Sequence, residues 1–229
     1  REGAEGVEGA VEEVAVEGPA ATQAEREATV AVVKPKPVVL TRRQRKVCDA
    51  LGIDKKQLGE LIGKPLYEFN EGEVDVYLRY LSAFEPELPG RIAHLARKNI
   101  GQPYELYLLG EMPFEHYDPQ PIYCLDRSDC VVFSEHTYAM ALTDNWEDFM
   151  RMLQRIRYDG GRIGVVTRNH YTEADWNPNN RWLVRDITGE LARNRVMKFE
   201  QKVDRAKFLR NRYKLETDIP VKEYVHEFI

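Results

Sequence analysis

The chain has 229 residues, with 33 Lys and Arg against 38 Asp and Glu, and its formal charge of -5 is unevenly spread: residues 1–30 hold eight Glu against Arg1 and Arg26, leaving the remainder close to neutral. A near-neutral body gives no reason to invoke nucleic acid or a membrane surface as partner, and no apolar run approaches the roughly 18 residues of a membrane span. Three cysteines (Cys48, Cys124 and Cys130) are too few for a disulfide framework and leave at least one free thiol. No secretory leader is readable, and a chain opening on Arg1 is compatible with one having been removed.

Residues 1–40 read as a disordered acidic tail and linker: Val, Ala, Gly and Glu follow no helical or strand period, and Lys34-Pro35-Lys36-Pro37 is extended. Residues 41–72 form a short helical N-terminal extension, with helices over 42–51 and 55–62, the second stopped by Gly63-Lys64-Pro65. The main domain is then 73–229. Residues 73–84 place Val74, Tyr77, Leu78, Leu81 and Phe84 on one helix face, and Pro89 opens a second helix carrying Ile92 and Leu95. Tyr104 to Leu109 looks extended, and the prolines of 110–121 make a loop. Trp146 to Ile156 is amphipathic and ends at Asp159-Gly160-Gly161. Residues 162–168 and 181–187 read as an antiparallel pair of strands, 195–200 as another strand, 202–213 as a helix and 219–228 as a last strand. The expected class is α+β, with helices packed on a small, mostly antiparallel sheet.

The chemistry centres on Leu125-Asp126-Arg127-Ser128-Asp129-Cys130-Val131. Asp126, Ser128 and Asp129 are helix-capping types and 131–142 continue without Gly or Pro, so Cys130 falls in a first helical turn. The free N–H groups and dipole there favour a thiolate and suit an oxyanion. About forty residues on, His170 ends a predicted strand, and Asp186 lies on the next. A helix-borne Cys, then His, then an acid is the order of a cysteine nucleophile whose base is held by a third polar group. Asp175 is the other candidate for that third place. Glu135 is expected to pair with a basic side chain, and His136 points away from Cys130. No metal-ligand spacing or phosphate loop occurs, so neither a metal nor an organic cofactor is expected.

Gly101-Gln102-Pro103-Tyr104, Leu109-Gly110-Glu111, Leu125-Asp126 with Asp129-Cys130-Val131, Phe133-Ser134-Glu135, Arg155-Ile156-Arg157-Tyr158, His170-Tyr171 with Asp175-Trp176, and Asp186-Ile187-Thr188 together resemble the bacterial N-acetylmuramoyl-L-alanine amidase-like family. That family belongs to the papain-like cysteine hydrolases of NlpC type, and the resemblance covers roughly residues 73 to 225. It implies a papain-like fold, with Cys130 as nucleophile, His170 as base, Asp186 as third member, and Tyr104, Tyr123 and Trp176 beside the substrate. It further implies peptidoglycan fragments as substrate, an extracytoplasmic location and a monomer. Val132 stands where the family usually has Thr, and the insertion between Tyr104 and Cys130 is long. Two alternatives stand beside this reading: a non-catalytic module binding wall peptides or a protein, and a Cys-His acyl or lipid transferase.

Overall fold

The computed structural model describes residues 38–192 and 195–228; the expected acidic tail, apart from 38–40, lies outside the described residues. Helix α1 (Arg42–Leu51) starts at Thr41, whose hydroxyl accepts the Gln44 N–H while the Gln44 side chain accepts the Thr41 N–H. It stops at Gly52, where φ is 65°, a left-handed conformation that a Cβ would disfavour. Helix α2 (Lys55–Gly63) is capped by Asp54, and its last carbonyls are closed by a side chain from elsewhere: Lys98 Nζ donates to Leu61, Ile62 and Lys64 at 2.7, 3.2 and 2.6 Å. Lys98 ends α4 (Leu88–Lys98), which follows α3 (Glu71–Phe84), itself begun by a reciprocal Asn70–Glu73 cap.

One apolar core joins these helices to α5 (Cys130–Ala141) and α6 (Trp146–Arg157). Cys48 and Leu58 of the N-terminal helices, Tyr77 and Leu81 of α3, Leu95 of α4, Met140 of α5 and Leu153 of α6 are all buried in it. The helices over 41–72 therefore share the core of the helices that follow. Losing one such side chain to Ala typically costs about 2–5 kcal/mol, so this block is a rigid base for the first turn of α5.

The protein is a helix-dominated α+β fold, and its sheet differs from the expected one. Among the described residues the strands are β1 (Met197–Val203) and β2 (Lys222–Phe228), antiparallel with Met197 opposite Phe228 and Val203 opposite Lys222. Neither carries His170 or Asp186. Residues 162–168 do not form a strand: Gly164 accepts the N–H groups of Thr167 and Arg168 in a tight turn, the Thr167 hydroxyl donates to Arg162 and Gly164, and Glu115 takes the Val165 N–H at 2.7 Å. The backbone groups a ladder would need are thereby spent, apart from an isolated bridge between Tyr158 and Arg168. Residues 181–187 likewise turn, with Leu183 and Val184 donating to the Asn180 carbonyl. Beyond them lie a short helix α7 (Thr188–Ala192) and α8 (Arg205–Tyr213), whose N-cap is Asp204. Residues 202 and 203, expected in the helix, belong to β1.

Candidate active site

Helix α5 presents its first residue to solvent. Asp129 accepts the Val132 N–H at 2.8 Å and fixes the helix start, as the capping pattern predicts. Val132, Glu135, His136, Ala139 and Met140 then form the buried face, which leaves the Cys130 thiol exposed. The stretch from Gly101 to Tyr104 is stitched directly against the residues before it. Ser128 N–H donates to Pro103 and Glu105 N–H to Ser128, at 3.1 and 3.2 Å, while Ser128 Oγ donates to Gln102 Oε1 and Gln102 Nε2 to the Leu125 carbonyl, both at 2.8 Å. Tyr104 is 69% exposed on this wall, and Leu108 and Leu109 pack on Val132. Gly110 permits the fold of this loop: a Cβ there would meet Asp118 and Gln120 carbonyl oxygens at 2.6–2.7 Å.

The other thiols are shielded. Cys48 is buried, and burial together with the neighbouring Asp126 carboxylate pushes the Cys124 thiol up to about 11.

His170 lies among aromatic rings, with centroids 4.9 Å from Phe208 and 5.8 Å from Tyr213. Its Nε2 sits 2.6 Å from the Val165 carbonyl, which can only accept, so Nε2 carries the proton and Nδ1 is the basic nitrogen. Burial, then the nearby Arg168 charge, pulls His170 down to about 4 against the opposing pull of that hydrogen bond. Asp186, the residue expected to hold this ring, accepts the Thr188 N–H at 2.8 Å on an exposed segment. Asp175 is buried and bound to Lys222 at 2.8 Å and Arg205 at 3.4 Å, and it accepts the Tyr171 N–H. Among the described residues no hydrogen bond joins Cys130 to His170. Tyr123 donates to Glu71 and stacks edge-on against Trp146, and Trp176 donates to Glu135 at 2.9 Å, so both have internal partners.

His136 is also held neutral: Nδ1 faces the Val132 carbonyl at 2.8 Å, Nε2 accepts the Cys124 N–H, and burial lowers it to about 4. Both histidines titrate lower folded than unfolded. The unfolded chain therefore binds more protons between about pH 6.5 and 4, and stability, complete above 6.5, falls with pH through that window. His136 contributes on the order of 3 kcal/mol and His170, which remains partly exposed, less. Buried Glu135, whose carboxyl is raised by burial, works in the opposite direction. The urea midpoint is expected to drop steeply from pH 7 to 4.5, with a shallower slope in His136→Gln; a midpoint flat across that range would contradict the burial of both rings.

The pattern of titratable groups missed from sequence is an ionic network behind the loop. Arg168 Nε and Nη2 hold Glu111 at 2.6 and 2.7 Å, Nη2 also reaches Asp118 at 2.8 Å, and Nη1 donates to the Leu109 carbonyl. Tyr158 donates toward Glu111, and Arg157 lies 3.9 Å from Glu135, the basic partner expected for that carboxylate. Glu111 stands in the quoted Leu-Gly-Glu stretch, but nothing in a linear reading pairs it with a residue 57 positions away. Among the described residues no three His, Cys, Asp or Glu side chains converge as metal ligands.

A family model described as AmiA-like, N-acetylmuramoyl-L-alanine amidase-like, matches residues 94–227, more than half of the chain. The chain belongs to the AmiA-like family. The match runs from α4 to β2, so it contains Cys130, His170 and the Arg168 network and leaves α1 to α3 outside. The AmiA-like chain is similar in fold to a solved protein of Legionella pneumophila, with 21% identity and a TM-score of 0.58 over 69% of this chain and 64% of that one; it spans less than two thirds of that protein's length. It also matches an N-acetylmuramoyl-L-alanine amidase from Bacteroides uniformis at 25% identity over 56% of this chain and 53% of that one, with a TM-score of 0.44. No curated protein matches the chain. Among the described residues no helix is long and apolar enough to cross a membrane.

Proposed function

We propose that this AmiA-like chain is a cysteine-dependent amide hydrolase of papain-like, NlpC type, acting outside the cytoplasm on peptidoglycan stem peptides or on the bond joining them to muramic acid. The observation that carries the reading is Cys130, exposed on the first turn of α5 and walled by the Gly101–Tyr104 stretch, in a chain of amidase-like family. The Cys130 sulfur attacks the amide carbonyl carbon as its proton passes to His170 Nδ1, and the oxyanion is held by the N–H groups opening α5. The C–N bond then breaks as His170 returns the proton to the leaving amine. Water, deprotonated by His170, cleaves the thioester and restores the thiol. Tyr104 offers an exposed ring to the substrate.

In this proposal the Val165 carbonyl, not Asp186, orients His170, since it already accepts from Nε2. Asp186→Asn is accordingly expected to change kcat/KM by no more than about threefold, whereas an orienting carboxylate is worth orders of magnitude. A loss of a hundredfold or more in this variant would restore Asp186 to the third place.

The test of function is mass spectrometry of muramoyl peptides incubated with the protein. Hydrolysis gives products that together exceed the substrate by one water, and their masses name the bond; alkylation by iodoacetamide at neutral pH, directed to exposed Cys130, abolishes it. The missing Cys130–His170 hydrogen bond favours one rival, a module that binds wall peptides without cutting them, although such bonds often tighten only once substrate is bound. Fragments that bind but are recovered intact would establish the rival.

A further inference from the structure

The far end of α5 borders a cavity of about 480 Å³ where α3, α4, α5 and α6 meet, lined by Ser82, Arg91, Thr143, Asp148, Arg151 and Arg155 among others. Cys130 opens α5 and Leu142 closes it, so the cavity lies roughly 18 Å along the helix from the thiol.

Its charges are unevenly paired. Arg151 is neutralised by Glu147 and Asp148, and Asp148 is also held by Asn145. The other carboxylate of the lining, Asp144, accepts from Asn145 at 2.7 Å. Arg91 and Arg155 form no ion pair among the described residues, and Arg91 Nε is buried without a hydrogen-bond partner. That Nε is closed to solvent and therefore to a ligand in the cavity as well, so what Arg91 offers the cavity is an unpaired positive charge. Arg155 is also fixed in place, its guanidinium 4.3 Å from the centre of the Trp182 ring. The nearby C-terminal end of α5 carries the negative pole of its dipole, which opposes an anion, and Thr143 satisfies two of its carbonyls, its hydroxyl donating to Ala139 and its N–H to Met140.

We propose that this cavity, lined by the unpaired Arg91 and Arg155, binds a small multivalent anion, phosphate- or carboxylate-bearing. A guanidinium group recognises the oxygens of either class of anion, and two charge-assisted contacts are enough for a saturable site. The site is independent of the chemistry at Cys130.

The test is equilibrium dialysis of the whole chain against inorganic phosphate and, separately, citrate, at constant ionic strength set with chloride. One saturable site per chain is expected for at least one probe, weakened about tenfold or more in Arg91→Gln and in Arg155→Gln and unchanged in Cys130→Ser. Saturation by phosphate alone assigns a phosphate-bearing ligand, and by citrate alone a polycarboxylate. Absence of saturable binding by both probes, or equal binding in the Arg91→Gln/Arg155→Gln double variant, overturns the proposal; circular dichroism of each variant separates loss of the site from loss of the fold.

Discussion

Cys130→Ala is expected to lower kcat/KM on a muramoyl peptide by at least about a thousandfold, and His170→Ala by a similar factor. At about 1.4 kcal/mol per tenfold, each removes some 4 kcal/mol of transition-state stabilisation. The groups act as one unit: without the sulfur there is no nucleophile for His170 to deprotonate, so the double variant should be little worse than either single one. Cys130 is exposed, hence its removal leaves the urea midpoint unchanged and isolates the chemical loss. His170 packs on Phe208 and Tyr213, so its variant needs that midpoint measured alongside. Hydrolysis surviving in Cys130→Ala within tenfold of the parent would remove Cys130 from the mechanism and the cysteine reading with it.

Arg168→Met is expected to destabilise the fold by about 3–5 kcal/mol, a large share of the stability of an ordinary domain. The reason is what it leaves behind. Glu111 is 0% exposed, and its carboxylate loses both bidentate contacts at once, while Asp118 loses a third. The companion Arg168→Met/Glu111→Leu should recover much of the loss, because a buried pair replaced whole by apolar groups leaves no uncompensated charge. Urea denaturation of the three proteins checks both statements; Arg168→Met within 1 kcal/mol of the parent would mean that the pair is hydrated and loose. Removing the Arg168 charge also relieves one of the influences that keep His170 unprotonated, so proton NMR should find that ring titrating at higher pH in the variant.

Helices were readable because their signals are local. Asp129 before Cys130 marks a start that the structure uses, and the face carrying Val74, Tyr77, Leu78 and Leu81 is the buried one, whereas the Thr41–Gln44 and Asn70–Glu73 caps emerge only in the structure, which starts α3 at Glu71 rather than at residue 73. The segments 162–168 and 181–187 misled because alternation of apolar residues says that a stretch can be extended, not that a partner strand awaits it. Their backbone groups are claimed instead by the Thr167 hydroxyl and the Asn180 carbonyl, both local, and by the Glu115 side chain, which only the tertiary fold brings near. The exposed thiol was visible for the same local reason as the helix that bears it. The acceptor on His170 was not, since a main-chain carbonyl has no letter in a sequence.

Asp175 carries a consequence for the order of events during synthesis. Its carboxylate is buried five residues after His170, yet its counter-charges come from Arg205 in α8 and Lys222 in β2, and Arg205 also donates to the Val166 carbonyl at 2.7 Å, next to the carbonyl that steadies the imidazole. A nascent chain that has reached residue 200 possesses Cys130 and His170 but has nothing with which to neutralise Asp175. The surroundings of His170 are therefore completed late: a chain cut short before Arg205 lacks both counter-charges of Asp175 and also the Phe208 and Tyr213 rings that pack on the imidazole.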